Sequence, residues 1–264
     1  VLEGEFETVA ADPRSERGEL VRAHAVAADG VYEFVADEWH AIDGSSEHIV
    51  GVGYGETTYG GRKELKNPKG GIDYGSLMYV ALQRARTARQ AIKVMTDLVA
   101  EYGYYSSGES FSISDPREVW LMEMIGKGPE HKGAVWVARK VPDGHISGHA
   151  NQARIRRFPL DDPDNTLYSR DVITFARKQG YFKGKDAEFS FADAYAPMTY
   201  RRLRCCEARV WQFFRRAAPK QKIPAAYIRG RRGARPMPLW IKPDRKLTVR
   251  DVIAFMRDHF EGSH

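Results

Sequence analysis

Cysteine, long apolar stretches and the serine-hydrolase signatures are scarce or missing in this sequence. Two cysteines occur among 264 residues, and they are adjacent, Cys205 and Cys206. A disulfide framework and a four-cysteine zinc site are therefore excluded. The apolar runs, such as residues 134–138, are far shorter than the roughly 20 residues that cross a bilayer. We therefore expect no membrane partner.

Apolar and aromatic residues, in contrast, are plentiful. Hydrophobic residues make up 42% of the chain and aromatic residues 11%, well above the content of a low-hydrophobicity disordered chain. The first twelve residues contain Glu3, Glu5 and Glu7, where an export signal needs basic residues and an apolar run. The compartment stays unknown, and the cytoplasm is favoured because the given chain shows no signal peptide.

Positive charge collects in the last third of the chain. Lys and Arg number 41 against 35 Asp and Glu, a net charge of +6. A nucleic-acid-binding protein is one explanation for such a basic segment. No zinc-finger, RRM or other recognised nucleic-acid motif accompanies the charge, so we expect no nucleic-acid partner.

Helices and strands are predicted in separate blocks of the chain. Apolar residues recur at helical spacing over residues 87–102, and Thr87 with Gln90 has the pattern of a capping box. The other candidate helices are residues 76–84, 170–179, 200–216 and 248–260, and the candidate strands are residues 31–35, 111–114, 119–125, 134–141 and 146–150. The last four strands predict one antiparallel meander. Such segregation is typical of an α+β fold.

Glycine-rich residues 47–61 (EHIVGVGYGETTYGG) predict a strand beneath a site, because missing side chains let a ligand approach closely. Two phosphate-binding templates fail there. Glu56 stands where a dinucleotide fingerprint needs its third glycine, and Gly60 is followed by Gly61 and Arg62 rather than by Lys and Ser or Thr.

Other catalytic and metal motifs find little support. Serine stands in neither a G-x-S-x-G nor an S-x-x-K pattern. His145 and His149 lack an H-E-x-x-H context, which favours a structural role over a metal site. Cys205 and Cys206 fall inside a predicted helix, so we expect one to face the core and its neighbour to lie at an edge.

Several strings together resemble one family, the cysteine dipeptidases of the N-terminal-nucleophile hydrolase class, to which the secernins are related. The strings are GETTYGGR at 55–62, LQRARTARQAIKVM at 82–95, YGYYSSGESFSISD at 102–115, EVWLMEMIGKG at 118–128, GAVWVARKVPDGHISGHANQARIRR at 133–157, SRDVITFARKQGYF at 169–182 and RCCEARVWQFFRR at 204–216. The resemblance covers roughly residues 47–261. It implies a partial dipeptidase domain at residues 47–264, preceded by a divergent segment at 1–46.

The resemblance implies an αββα sandwich in which an amino-terminal cysteine attacks a dipeptide. The free α-amine serves as base for the thiol, an acyl-enzyme forms, and water hydrolyses it. Neither a metal nor an organic cofactor is needed. A dipeptide is the expected substrate, and assembly into a homo-oligomer stays open.

Five residues in the matched strings are candidates for the site. Asn151 is the catalytic candidate, because its amide N–H could stabilise an oxyanion or contact the nucleophile's amine; a strand-end turn residue is the alternative. Glu56 and Thr57 are candidates for binding the substrate ammonium and carbonyl, with an ordinary edge-strand carboxylate as the alternative for Glu56. Arg154 is the candidate for binding the substrate carboxylate; a solvated basic run with Arg156 and Arg157 is its alternative. Glu109, on a predicted loop, is the fifth candidate.

The sequence departs from the family pattern at the nucleophile. Residues 1–46 contain no cysteine, and Cys205 and Cys206 lie in a different matched string without an adjacent α-amine. We therefore expect this chain, a fragment that lacks the nucleophile and the C-terminal part, to be inactive. The alternative is a non-catalytic, secernin-like paralogue that binds peptides or a protein.

Overall fold

The computed structural model describes residues 21–27, 30–36 and 53–258. Strands β1 (Val21–Ala27) and β2 (Gly30–Ala36) pair as an antiparallel hairpin, which confirms the strand predicted at residues 31–35. The other residues before 53, including 47–52 of the glycine-rich prediction, lie outside the described ranges, as do residues 259–264.

A five-stranded antiparallel sheet forms the centre of the described structure. Its strands are β3 (Gly53–Gly60), β4 (Gly108–Ser114), β5 (Val119–Gly126), β6 (Ala134–Lys140) and β8 (Thr166–Tyr168), in the spatial order β3-β4-β5-β6-β8. Side chains alternate between the two faces along each strand. On β6, for example, Val135 and Val137 pack on one face, and Trp136 and Ala138 on the other. Both faces of this sheet are therefore buried.

Helices α1 (Tyr74–Arg84) and α2 (Ala88–Tyr102) cover one face of the sheet. Thr87 caps α2, its hydroxyl accepting from the Gln90 amide at 3.2 Å. The predicted capping box is half formed, because the Gln90 side chain accepts from the Arg86 amide instead. Gly103, with a φ of 81°, ends α2 in a conformation that a side chain would strain.

The opposite face is covered by α3 (Val172–Lys178), α4 (Phe191–Tyr195) and the segment around Ile155. Two short 3-10 helices, Lys63–Leu65 and Asp186–Glu188, lie in connections. A longer helix follows, made of α5 (Tyr200–Arg202), a π-helical turn (Leu203–Glu207) and α6 (Ala208–Ala217). Helix α7 (Val249–Met256) comes last, with Thr248 as its N-cap, and it ends at Met256, four residues before the predicted end at residue 260.

The predicted strand at residues 146–150 is wrong in length and in partner. Strand β7 spans Ile146–Ser147 and pairs with β9 (Trp240–Ile241), while β8 occupies the place beside β6. The backbone leaves the extended conformation because Asn151 takes a φ of 60° and the Gly148 carbonyl accepts from the Arg154 side chain.

Antiparallel strands and segregated helices confirm the α+β class. None of the helices in the described part of the chain is long and apolar enough to cross a bilayer.

Candidate functional site

Strand β3 presents neighbouring residues to opposite faces of the sheet. The Thr57 hydroxyl lies 2.6 Å from His149 Nδ1, on the face that α3 and α4 cover. Glu56 contacts the Thr58 hydroxyl at 3.3 Å and lies on the face of α1 and α2. The two residues predicted to bind substrate together are therefore separated by the sheet.

His149 joins β3 to β4. Its Nε2 lies 2.8 Å from the Ser112 hydroxyl, while Nδ1 contacts Thr57. Desolvation, and then the positive charge of Arg154, lower the pKa of His149 to about 4. The ring is neutral at pH 7, so one nitrogen donates to a hydroxyl and the other accepts from one. This arrangement agrees with the structural role expected for His149.

Asn151 lies two residues after His149 and is fixed from both sides. Its Nδ2 donates to the Thr58 carbonyl at 2.8 Å. Arg209 Nη2 donates to Asn151 Oδ1 and to the Ala150 carbonyl, both at 2.8 Å. Asn151 is also a non-glycine residue at positive φ, a strained conformation that is characteristic of functional sites.

Sequence reasoning missed Arg209 as part of this site. It lies on α6, 58 residues after Asn151, and the sequence offered it only as one member of a basic segment. Its Nε donates to the Cys205 carbonyl at 2.8 Å, which orients the guanidinium toward Asn151. A contact across such a separation leaves no periodic pattern that could reveal it.

Arg154 is buried within the protein, with 7% of its surface exposed. Its Nε donates to Glu207 at 2.9 Å, and its other nitrogens donate to the carbonyls of Gly148, Pro238 and Leu239. The Arg154 and Ile155 amides both donate to the carboxylate of Glu123. The guanidinium predicted to bind a substrate carboxylate is thus committed to protein acceptors.

Glu109 was predicted on a loop, and that placement is wrong. It lies in β4, paired with Thr58 of β3, and only 1% of its surface is exposed. Burial, and then the hydrogen bond that its carboxyl donates to Glu56, raise the pKa of Glu109 well above its ordinary range. The Glu109 carboxyl therefore keeps its proton, which it donates to Glu56 in the hydrogen bond. Glu56 and Glu109 are brought together, on the opposite face from Thr57.

An open cavity of about 550 Å³ borders Asn151. It lies between the end of β3 and the start of the long helix, and its lining residues are Gly61, Asn151, Pro197, Thr199, Arg201, Arg202, Cys205 and Cys206. Cys205 is exposed and Cys206 is buried, which agrees with the prediction that one of the two faces the core, and both belong to the π-helical turn. Desolvation raises the pKa of the Cys206 thiol.

Comparison with known proteins identifies the family. The sequence model of peptidase family C69 matches residues 31–264. The chain belongs to peptidase family C69. The resemblance inferred from the sequence is therefore confirmed. The match begins sixteen residues before the boundary predicted at 46/47, and that boundary stays a prediction.

Three curated relatives of this C69 chain carry dipeptidase names. A probable dipeptidase of Latilactobacillus sakei is 28% identical over 229 residues, which are 86% of this chain and 45% of the relative. A probable dipeptidase of Salmonella dublin is 29% identical over 220 residues, which are 81% of this chain and 47% of that relative. Probable dipeptidase B of Streptococcus pyogenes serotype M1 is 28% identical over 129 residues, which are 49% of this chain and 24% of that relative. The chain spans about half the length of the first two relatives.

Proposed function

We propose that this C69 protein is a cysteine-type dipeptidase that hydrolyses dipeptides through an amino-terminal cysteine. The match of residues 31–264 to peptidase family C69 carries this proposal, and the names of the relatives agree with it. Under the same proposal the described sheet is one of the two sheets of an αββα sandwich, and helices α1 and α2 form one outer layer.

The proposed reaction is acyl transfer through a thioester. The thiol proton moves to the α-amine, the sulfur attacks the peptide carbonyl, and the protonated amine then supplies the proton for the departing amino acid. Water hydrolyses the thioester and releases the second amino acid. No metal or organic cofactor takes part in these steps.

Asn151 is proposed to stabilise the oxyanion in both steps. A side-chain amide carries two N–H donors, and among the described residues Asn151 Nδ2 donates to one acceptor, the Thr58 carbonyl. Its second N–H is then available for a developing negative charge. Arg209 supports this role, because its bond to Oδ1 turns the NH₂ group of Asn151 toward β3.

The other candidates find unequal geometric support for their proposed roles. Thr57 lies on the same face of β3 as His149 and would contact the substrate from there. Glu56 would bind the substrate ammonium from the opposite face, with the buried, protonated carboxyl of Glu109 hydrogen-bonded to it. Arg154 would have to exchange Glu207 or a carbonyl partner before it could bind a carboxylate.

For the 264-residue chain itself we propose peptide binding without turnover. Its cysteines are Cys205 and Cys206. Cys205 is exposed and lines the cavity beside Asn151, but neither cysteine neighbours an α-amine. This observation favours the non-catalytic alternative for the chain as given.

A dipeptide panel tests the peptide recognition that both parts of the proposal share, together with the absence of turnover in this chain. The purified chain is incubated with each dipeptide, with and without prior thiol alkylation, while released amino acids are quantified and dipeptide binding is measured by calorimetry. We expect binding and no release. Release that alkylation abolishes would assign the chemistry to Cys205 or Cys206, and loss of all dipeptide binding would contradict peptide recognition.

A further inference from the structure

The cavity beside Asn151 has an unbalanced positive charge. Arg201 and Arg202 are among its lining residues, and the described residues that line it include no Asp or Glu. Its volume of about 550 Å³ lies in the range of about 300 to 1,000 Å³ that is typical of small-molecule sites. A small anion is therefore the ligand chemistry that fits its charge and size.

Arg202 is held in place by neutral groups. Its Nη1 donates to the Pro197 carbonyl at 3.0 Å and its Nη2 to the Tyr59 carbonyl at 3.1 Å. Within the described part of the chain, neither Arg201 nor Arg202 forms an ion pair with a carboxylate. The guanidinium of Arg202 is thus oriented but keeps its full charge for a ligand.

Arg202 and Asn151 are anchored to consecutive residues of β3. Asn151 Nδ2 donates to the Thr58 carbonyl, and Arg202 Nη2 donates to the carbonyl of Tyr59, where the pairing of β3 with β4 is interrupted. In a dipeptide the scissile carbonyl carbon and the terminal carboxylate carbon are three bonds apart, about 4 Å at most. Both groups line the same cavity of about 550 Å³, which can hold a molecule of that span.

The surroundings of Arg154 and Arg202 differ in a way that favours Arg202 as the ligand of a substrate carboxylate. It is buried and its charge is matched by Glu207 at 2.9 Å, whereas Arg202 faces an open cavity next to the candidate catalytic amide. A planar guanidinium binds a carboxylate through two parallel hydrogen bonds, which gives both affinity and orientation.

We propose that the cavity lined by Arg202, Arg201 and Asn151 is the subsite for the terminal carboxylate of the substrate, with Arg202 as its main ligand. This inference rests on the proposed dipeptidase function and specifies it. Peptides with a free carboxyl group one residue beyond the scissile bond are selected, and amidated or longer peptides are disfavoured.

Calorimetric binding of two matched probes tests the subsite. The probes are a dipeptide of two alanines with a free carboxylate and the same dipeptide amidated at its carboxyl end. The wild-type chain is expected to bind the acid at least about tenfold more tightly than the amide. Arg202→Gln should abolish this preference and Arg202→Lys should keep part of it, because a lysine retains the charge but loses the paired hydrogen bonds.

Arg232→Gln is the matched control, because Arg232 is exposed and does not line the cavity. Circular dichroism establishes that each variant is folded. Equal binding of acid and amide by the wild type would overturn the subsite while leaving dipeptide recognition intact. A preference that survives in Arg202→Gln would also overturn it, and a chain that binds neither probe would refute dipeptide recognition together with the subsite.

Discussion

The buried pair of Arg154 and Glu207 shows how one residue's surroundings decide its role. Arg154 sits in a basic run with Arg156 and Arg157, which in a sequence resembles a solvated surface. In the fold its guanidinium bonds Glu207, the nearby Gly148 carbonyl and the distant carbonyls of Pro238 and Leu239. Such a residue ties the segment around Ile155 to the long helix and to the residues before β9.

Glu207→Gln tests this stabilising role. The substitution leaves the Arg154 charge buried without its counter-charge, and breaking a buried pair in this way costs about 3 kcal/mol or more of unfolding free energy. Urea denaturation measures the loss. Asp97→Asn is the control, because Asp97 pairs with Lys93 on the exposed side of α2 and such surface pairs contribute less than about 1 kcal/mol. Equal losses in the two variants would contradict the role of Glu207.

Helix α2 illustrates how capping defines an element. Thr87 accepts a hydrogen bond from the Gln90 amide, and Gly103 ends the helix one turn after its last core contact at Val99. Six buried side chains on one stripe then hold α2 against the sheet: Ala88, Ala91, Ile92, Met95, Leu98 and Val99.

Thr87→Ala is expected to destabilise the protein by about 1 kcal/mol, because the Gln90 amide loses its acceptor at the helix start. Thr87→Ser retains a capping hydroxyl and should stay close to the wild type. Thermal unfolding of the three proteins measures the difference. A Ser variant as unstable as the Ala variant would show that the methyl group, rather than the cap, is responsible.

Elements with local signals were predictable, and elements that depend on distant partners were not. The helical spacing and cap of α2 depend only on residues close together in sequence, and so does the alternation along β6. Strand β7 was overestimated because its partner β9 lies more than 90 residues further along the chain. In the site, Asn151 was recognised through family resemblance, whereas Arg209 and Arg202 reach it only through the packing of the long helix.

Burial of Glu123 makes the stability of the whole molecule depend on pH. Desolvation raises the pKa of Glu123 to about 7, although the amides of Arg154 and Ile155 oppose the shift. Between the ordinary glutamate pKa and this value the folded protein binds more protons than the unfolded chain. The free energy of unfolding therefore loses this contribution as pH rises toward 7.

Glu123→Gln should remove that loss while keeping an oxygen that can accept from both amides. We subtract the unfolding free energy of the wild type from that of the variant at each pH. This difference is expected to be about 1 to 3 kcal/mol larger at pH 7.5 than at pH 5. Urea denaturation at both pH values measures the gain. The opposite trend caused by His149, whose lowered pKa makes stability rise with pH below 6.5, is common to both proteins and cancels. A difference that does not change with pH would place the Glu123 pKa in its ordinary range.

The two-sided use of β3 also limits how this sequence can change over generations. Thr57 forms a hydrogen bond with His149 on one face, and Glu56 forms a hydrogen bond with Glu109 on the other. Replacing one of them leaves its neighbour's layer untouched, so substitutions at the two positions can accumulate independently. A one-residue insertion or deletion just before Glu56 would exchange the faces, setting a carboxylate against the neutral imidazole and a hydroxyl against the buried acid. Homologous lineages should therefore keep the length of β3 constant.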